Sequence, residues 1–297
     1  MKNIFPILLL SLCVGFVSCN EEYDADTAVS HYQPVPGKRL VASVKTTFVE
    51  NGGENIHHHR FTYDAKGRIK SVNSDLVIYS PVIENFYDTV YYKCNMATSA
   101  DYFYRGEELE VAFRVSTDYP DRPAMNRLSS SSNFGIFQSN GVLSRFSQAS
   151  FDYSTTMLMQ AYADGDICFN VTRDTDGNVT GYKKHVTTTG QVLDEKSNIY
   201  HYHPVKNNTN FDFSAYFGHW GVEQAVPVIS HLYRAPYRLA AFGMLGATSP
   251  YLPYGVIEKG ADGKENRLYG EWEFDDKDCP VSYTDPYGRK TVITYCE

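Results

Sequence analysis

The stretch that decides the fold is residues 54–72, ENIHHHRFTYDAKGRIKSV, because it holds two strand-like segments and the turn between them. Asp64 can begin that turn by accepting hydrogen bonds from the backbone that follows it. Gly67 permits the left-handed backbone step that closes the turn. The stretch therefore predicts an antiparallel β-hairpin.

Similar turn signals divide the rest of the chain into strand-length pieces. Gly165, Gly177 and Gly190 lie 12 and 13 residues apart, and such an interval holds one strand of about eight residues. Tyr, Phe and Trp make up 14% of the chain, and flat rings suit a half-buried pleated surface. We predict an all-β, up-and-down antiparallel meander. Its turn signals are Asn51-Gly52-Gly53, Asp64-Ala65-Lys66-Gly67, Arg105-Gly106, Asn140-Gly141, Asp164-Gly165, Asp176-Gly177, Thr189-Gly190, Asp262-Gly263, Asp275-Asp276-Lys277-Asp278 and Asp285-Pro286-Tyr287-Gly288.

A weak internal repeat supports the same prediction. Residues 61–72 align with residues 272–283, and residues 174–182 form a partial third copy. Each copy has a strand, an aspartate at the first turn position, a Gly or Asp where a positive φ is needed, and a second strand. The repeated unit is a hairpin.

The N-terminus predicts a lipoprotein signal peptide over residues 1–18. Lys2 precedes a short apolar run, which is typical of a secretory signal and too brief for a membrane anchor. Small residues then lead to Cys19 in a pattern that resembles the bacterial lipobox. In that motif the cysteine is lipidated and becomes the first residue of the mature chain. We predict lipid attachment at Cys19 and a location at the outer membrane, on the cell surface or facing the periplasm.

The mature chain divides into a tether and one domain. Residues 19–36 begin with an acidic run that has nothing to pack against, so we predict a solvated tether. Residues 37–297 are predicted to form a single β domain. Within about 213–245 the alternating pattern fades and helix-like spacing is interrupted by Pro227 and Pro236, so we predict two or three short helices there.

Charge and cysteine content narrow the possible functions. The chain has 27 basic and 35 acidic residues, a net charge of −8 and no basic block, which argues against nucleic-acid binding. Four cysteines follow Cys19 and none forms a CxxC pair, so zinc or redox chemistry is not expected. Cys279 and Cys296 flank the turn at Asp285, and a hairpin there would bring them together as a possible disulfide. Free buried thiols are the alternative.

Histidines provide the strongest hint of chemistry. His57 and His59 would share one face of a strand, and His201 and His203 form a second such pair. If those strands were neighbours, four imidazoles could bind zinc, and a metal-dependent hydrolase would be the alternative function. No HExxH, GxSxG or phosphate-binding glycine motif accompanies them, so we expect neither a metal nor another cofactor, and no catalysis.

Several motifs together resemble a known family. A lipobox, hairpins of YDxxG type, the sequence GATSPYLP at residues 246–253 and a last hairpin of FDxDxxP type at residues 274–280 resemble the Bacteroidetes lipoproteins of the DUF4595 type. The hairpins are also similar to the YD repeat of secreted shell-forming proteins. The DUF4595 resemblance implies a porin-like, strongly curved, barrel-like sheet and an unknown function.

A noncatalytic binding or accessory role is the function that we expect. Aromatic side chains exposed at a cell envelope could stack on a carbohydrate or grip a peptide, although packing within the sheet is the commoner role of any one of them. The candidates are Trp220, Trp272, Tyr200, Tyr202, Tyr251 and Tyr254.

The predicted anchor can be tested on the exported protein. The mature chain should begin at Cys19 and carry acyl groups on that residue, as measured by mass spectrometry of its N-terminal peptide. Cys19→Ala should remove the acyl groups and release the chain from the membrane fraction, whereas Cys168→Ala should leave both unchanged. A wild-type N-terminal peptide without acyl groups would contradict the prediction.

Overall fold

The computed structural model describes residues 36–84, 88–196, 200–217, 239, 241–259 and 264–297. Antiparallel strands make up most of it, with one four-residue helix, α1 (Phe213–Tyr216), and a 3-10 turn at Pro123–Met125. The strands are β1 (Val41–Glu50), β2 (Gly53–Tyr63), β3 (Ile69–Glu84), β4 (Asp88–Arg105), β5 (Glu108–Asp118), β6 (Arg127–Phe137), β7 (Leu143–Phe146), β8 (Ala149–Tyr153), β9 (Met159–Asp164), β10 (Ile167–Arg173), β11 (Val179–Val186), β12 (Val192–Lys196), β13 (Tyr200–Lys206), β14 (Tyr251–Lys259), β15 (Glu265–Tyr269), β16 (Glu271–Phe274), β17 (Pro280–Thr284) and β18 (Lys290–Tyr295).

One large sheet contains 15 of these strands, and its order confirms the predicted meander. From β12 the strands follow one another in reverse chain order to β1, and β18, β17 and β16 continue the sheet beyond β1. Every pairing is antiparallel. The sheet ends at β12 and at β16, so among the described strands it is open and the barrel-like arrangement does not close.

A smaller sheet, β13–β14–β15, and the segments around it cover one face of the large sheet. The covered face, called the inner face here, carries a row of directly paired residues that are at most 6% exposed: Phe61, Val72, Ala100 and Phe113. Residues 211–213, 239 and 241–252 supply the other half of this core. The opposite face of the large sheet is the outer face.

The hairpin at Asp64 shows how the turns are stabilised. The Asp64 carboxylate accepts hydrogen bonds from the backbone N–H of Lys66 and of Arg68, each at 2.9 Å. The Arg68 guanidinium, which is nearly buried, also donates to that carboxylate at 2.6 Å. Gly67 has the predicted positive φ, 77°. One side chain therefore fixes the whole five-residue turn.

The same arrangement recurs where the sequence predicted it and in one place where it did not. Asp174, Asp275 and Asp285 each accept from the N–H groups two and four residues ahead. Ser154 accepts from the N–H groups of Thr156 and Leu158 in the same way. The turn signals are confirmed within the described residues, whereas Asp262-Gly263 lies outside them.

Tyrosine hydroxyls form hydrogen bonds between neighbouring strands at one end of the sheet. This end also holds the Asp64 turn and is called the lower end here. The Tyr63 hydroxyl, on the last residue of β2, donates at 2.7 Å to the carbonyl of Val41, on the first residue of β1. Tyr153 bonds in the same way to Leu143 and Tyr295 to Pro280, and Tyr104, the next-to-last residue of β4, donates to Ile69, the first residue of β3. Burial raises the pKa of Tyr153 and of Tyr295, so both hydroxyls keep the proton that they donate.

The predicted helical segment is seen in part. Helix α1 begins within it, and Asp212 is the N-cap of that helix. Residues 218–238 and 240 lie outside the described residues, as do the signal peptide, Cys19 and most of the tether. In the described part of the chain, no helix is long and apolar enough to cross a membrane.

The possible disulfide between Cys279 and Cys296 is not formed. The predicted hairpin is present, but both thiols are free, as are those of Cys94 and Cys168. The register pairs Ser282 with Val292. If this register is extended by three residues, Tyr295 lies opposite Cys279. Cys296 therefore lies one position beyond the residue that faces Cys279. Adjacent positions point to opposite faces of a sheet, which keeps the two sulfur atoms apart.

Removal of one tyrosine hydroxyl tests the hairpin closure. Tyr63→Phe should lower the free energy of unfolding by about 1 kcal/mol, because the Val41 carbonyl loses its donor while the ring still fills the same space. Tyr91→Phe is the control, since Tyr91 is 43% exposed, and should change stability by less than about 0.5 kcal/mol. Chemical denaturation of both variants measures this. Equal effects would contradict a role for the hydroxyl.

Candidate functional site

The outer face of strands β2 to β6 carries two rows of mainly polar residues. Residues directly opposite each other in paired antiparallel strands lie on the same face. The register places one row, Arg60, Asn73, Ser99, Arg114 and Ser130, across the five strands. A second row lies beside it and contains His58, Asp75, Ala97, Ser116 and Leu128.

Between these rows lies an open depression of about 440 Å³. Arg60 donates to the Asp75 carboxylate at 2.5 Å, and both side chains are about half exposed. Arg114 lies across the depression from that ion pair and is exposed. Hydroxyl and amide side chains fill the lining between the charges. A volume of this size suits a small ligand or a segment of a larger one.

The residues that line the depression carry one more positive than negative charge in an acidic chain. Arg60 and Arg114 outnumber Asp75 there, whereas Asp101 and Asp118 lie on the same face in the neighbouring rows. Desolvation, followed by the charges of Arg60 and Lys45, lowers the pKa of His58, so its ring is neutral at pH 7. Two guanidinium groups and several hydroxyl and amide groups therefore line the depression.

The two histidine pairs are on strands that do not pair with each other. His57 and His59 lie on β2, between β1 and β3, whereas His201 and His203 lie on β13 of the smaller sheet. The described residues contain no group of three or more His, Cys, Asp or Glu side chains that could hold a metal ion.

Each histidine of the two pairs has packing neighbours. His59 is buried, shares a hydrogen bond of 2.7 Å with the Ser74 hydroxyl and meets Tyr216 edge-on, and His57 meets Phe48 edge-on. Burial lowers the pKa of His201 and of His203, each of which lies against aromatic rings. These contacts are those of histidines that pack within sheets.

The aromatic candidates from the sequence pack inside the fold wherever their side chains are described. Trp272 stacks on Tyr283 with ring centroids 4.3 Å apart, and its indole N–H donates to the Pro253 carbonyl. Tyr202 donates to the Val179 carbonyl, and Tyr254 meets His203 and Tyr269. Tyr251 is half-buried. Trp220 and the side chain of Tyr200 lie outside the described residues.

A buried polar cluster around Asp212 is the other concentration of reactive side chains. Asp212 Oδ1 accepts from Ser214 N at 2.9 Å, Ser214 Oγ at 2.5 Å and Ala215 N at 3.1 Å. Its Oδ2 accepts from Ser249 N at 2.7 Å. The two serine hydroxyls share a further bond of 2.7 Å. Both carboxylate oxygens are therefore occupied by the chain itself.

Two half-buried cations balance the charge of Asp212. Burial lowers the pKa of Arg173 and of Lys38, and the attraction of Asp212 opposes that shift in both. Arg173 also donates to the Gly177 and Met159 carbonyls, and Lys38 donates to the Asn207 carbonyl. With its oxygens bonded and its counter-charges occupied, Asp212 holds α1 against the loop at Ser249 and is a structural group.

Sequence reasoning missed the depression because nothing in the linear pattern marks it. Arg60, Asp75 and Arg114 lie far apart along the chain, and each looks like an ordinary charged residue of a strand. Strand register alone brings them together. The only signal available beforehand was the alternation that puts Arg60 on the face opposite Phe61.

Among the solved structures that are similar to this chain are porin-like proteins from two species of Bacteroides. The one from Bacteroides uniformis is 10% identical, and the match covers 89% of this chain and 100% of that chain at a TM-score of 0.42. The one from Bacteroides vulgatus is 9% identical, with coverage of 87% and 99% and a TM-score of 0.32. At these TM-scores the likeness carries no inference about function.

The comparisons by sequence do not identify a family. No family model and no curated protein matches the chain. Membership of the DUF4595 type therefore stays a prediction, and the function has to be argued from the site.

The structural role of Asp212 can be tested directly. Asp212→Ala should lower the free energy of unfolding by about 3 kcal/mol, because it removes a helix N-cap and leaves buried donors without an acceptor. Asp176→Ala changes an exposed turn residue and should cost less than about 0.5 kcal/mol. Thermal and chemical denaturation give both values. A mild effect of Asp212→Ala would contradict the structural assignment and favour a functional one.

Proposed function

We propose that the chain is a noncatalytic binding module, held at the cell envelope by a lipid on Cys19, that takes an acidic carbohydrate in the outer-face depression. The observation that carries the proposal is the convergence of Arg60, Asp75 and Arg114 among hydroxyl and amide side chains. The lipid anchor rests on the sequence pattern that ends at Cys19.

Hydroxyl-rich ligands suit this lining. A sugar hydroxyl both donates and accepts hydrogen bonds, and the Arg60–Asp75 ion pair offers a donor and an acceptor side by side. Asn73, Ser99 and Ser116 add further groups of both kinds. The depression is open rather than enclosed, so a chain of sugars can pass across it and leave at both ends.

An acidic ligand explains the excess of positive charge. A carboxylate on the ligand can accept two parallel hydrogen bonds from the Arg114 guanidinium, and charge-assisted bonds of this kind are stronger than neutral ones. The net charge of the chain is −8, so the two arginines of the lining would select where an anionic ligand binds. A neutral ligand could not form this charge-assisted bond with Arg114.

The tether fits a module that works at a distance from its membrane. Residues 19–36 span at most roughly 60 Å when fully extended, because each residue contributes about 3.3 Å. An anchored domain on such a tether can turn its outer face towards soluble or cell-bound glycans.

Binding should be measured on the mature chain in detergent by isothermal titration calorimetry, with oligogalacturonate as the probe. Arg114→Gln and Arg60→Gln should each weaken binding about ten-fold, because each removes a charge-assisted hydrogen bond worth about 1.5 kcal/mol. Binding should also weaken as salt is added, since the site is exposed.

Arg267→Gln is the matched control, because Arg267 is an exposed arginine on β15 of the smaller sheet, and it should leave binding unchanged. A neutral oligosaccharide of the same length should bind more weakly than oligogalacturonate. Equal binding of oligoglutamate would show that charge alone decides and would overturn the carbohydrate assignment. Absence of binding by all three probes would overturn the proposed site.

A further inference from the structure

The first part of strand β6 has a neighbouring strand on one side only, although β6 lies within the large sheet. It pairs with β5 from Arg127 to Ile136, but with β7 only from Gly135 to Phe137. Residues 127–132 are exposed on both faces. Among the described strands nothing pairs with this part of β6 on the side away from β5.

The direction of the backbone groups follows from two hydrogen bonds. Phe137 N donates to Glu107 O on the β5 side, whereas Phe134 O accepts from Ser147 N on the β7 side. Alternate residues of an antiparallel strand direct their N–H and C=O groups to opposite neighbours. The odd-numbered residues of β6 therefore bond to β5, and Leu128, Ser130 and Ser132 direct their backbone groups to the free edge.

This edge lacks the protection found at the ends of the sheet. Edge strands commonly carry charges or proline, which prevent another strand from pairing with them. Strand β12 carries Asp194 and Glu195, and β16 carries Glu271 and Glu273. The exposed stretch of β6 is Arg-Leu-Ser-Ser-Ser-Ser, with its one charge at the beginning, so nothing in it opposes an added strand.

The edge is complementary to itself. If two copies pair antiparallel about a two-fold axis at Ser130, Leu128 of each copy lies opposite Ser132 of the other. All three residues that face the edge then exchange about six main-chain hydrogen bonds. Arg127 falls opposite Asn133, which keeps the two positive charges at opposite ends of the pairing.

Side chains on the outer face fit the same register. Leu128 is 81% exposed, which is unusual for a leucine, and Phe134 and Ile136 are also about half exposed. The last two line a depression of about 400 Å³ where β7 ends, together with Ser132. In the two-fold register Leu128 of one copy lies diagonal to Phe134 of the other, within reach of that depression.

We propose that two copies of this chain associate by antiparallel pairing of their β6 edges, with Leu128 of each copy packing against Phe134 of the other. The large sheet then continues through both molecules. This goes beyond the carbohydrate-binding proposal and does not depend on it. The contact is small, so the affinity of the free chains is modest, and anchoring to one membrane would favour the pairing by raising the local concentration.

A proline at one edge position should block pairing between two copies without changing the fold of either copy. Ser130→Pro removes an N–H group that has no partner in a single copy, and proline is tolerated where an edge strand faces solvent. Sedimentation equilibrium of the mature chain in density-matched detergent should show wild type approaching twice the monomer mass up to about 200 µM. Ser130→Pro should stay monomeric, and Ser130→Ala should behave as wild type.

A second variant tests the same contact in case Ser130→Pro destabilises the fold. Leu128→Glu leaves the backbone unchanged and places a charge in the apolar contact, so it should weaken dimerisation at least ten-fold. Hydrogen exchange gives a signature specific to this edge. The amides of Leu128, Ser130 and Ser132 should become protected as concentration rises, whereas those of Ser129 and Ser131, already bonded to β5, should not change.

Three results would overturn the proposal. One is a monomeric wild-type chain over the whole concentration range. Another is a dimer that persists in both Ser130→Pro and Leu128→Glu, or whose protected amides lie elsewhere. The third is a chain that stays monomeric but gains protection at Leu128 and Ser132 on adding an extended peptide, which would assign the edge to a peptide partner instead.

Discussion

The structure depends on the burial of three phenylalanine rings between the large sheet and the segment that covers it. Phe61 of β2 meets Phe211 and Phe242, and the three ring centroids lie 5.2 to 5.4 Å from one another. Burying large aromatic rings is among the strongest single contributions that a side chain makes to a fold. This contact makes one face of the sheet the inner face. Because strand residues alternate, it also determines which residues reach solvent.

Both proposals follow from that choice of face. With Phe61 buried, Arg60 must point outwards, and the register then places it beside Asp75 and level with Arg114. A slip of one residue in β3 would bury Asp75 and remove the depression. The free edge has a related origin. Strands β2 to β6 extend beyond the strands that follow them, so β6 loses its neighbour above Gly135.

The turns show how far sequence reasoning reaches and where it fails. The Asp64, Asp174, Asp275 and Asp285 turns were predictable because one residue supplies the acceptor and a nearby Gly or Asp accepts a positive φ. The Ser154 turn was missed because Ser replaces Asp and Met157 takes the left-handed position at φ 64°. That turn is held by a distant residue, since Met157 O accepts from Ala247 N. No local pattern could have revealed such a bond.

By itself the sequence determined the local events of this protein: where the chain reverses, which stretches extend, that the strands follow one another as a meander, and the pattern that predicts lipid attachment at Cys19. These depend on residues a few positions apart, so their physical causes can be read in order along the chain. Tertiary structure alone decided that the sheet stays open, that His57 and His201 belong to different sheets, that Cys279 and Cys296 do not bond, and that Arg60, Asp75 and Arg114 converge. Each of these depends on which strands pair and in what register. Both are set by the summed burial of many side chains, so no single position in the sequence reveals them.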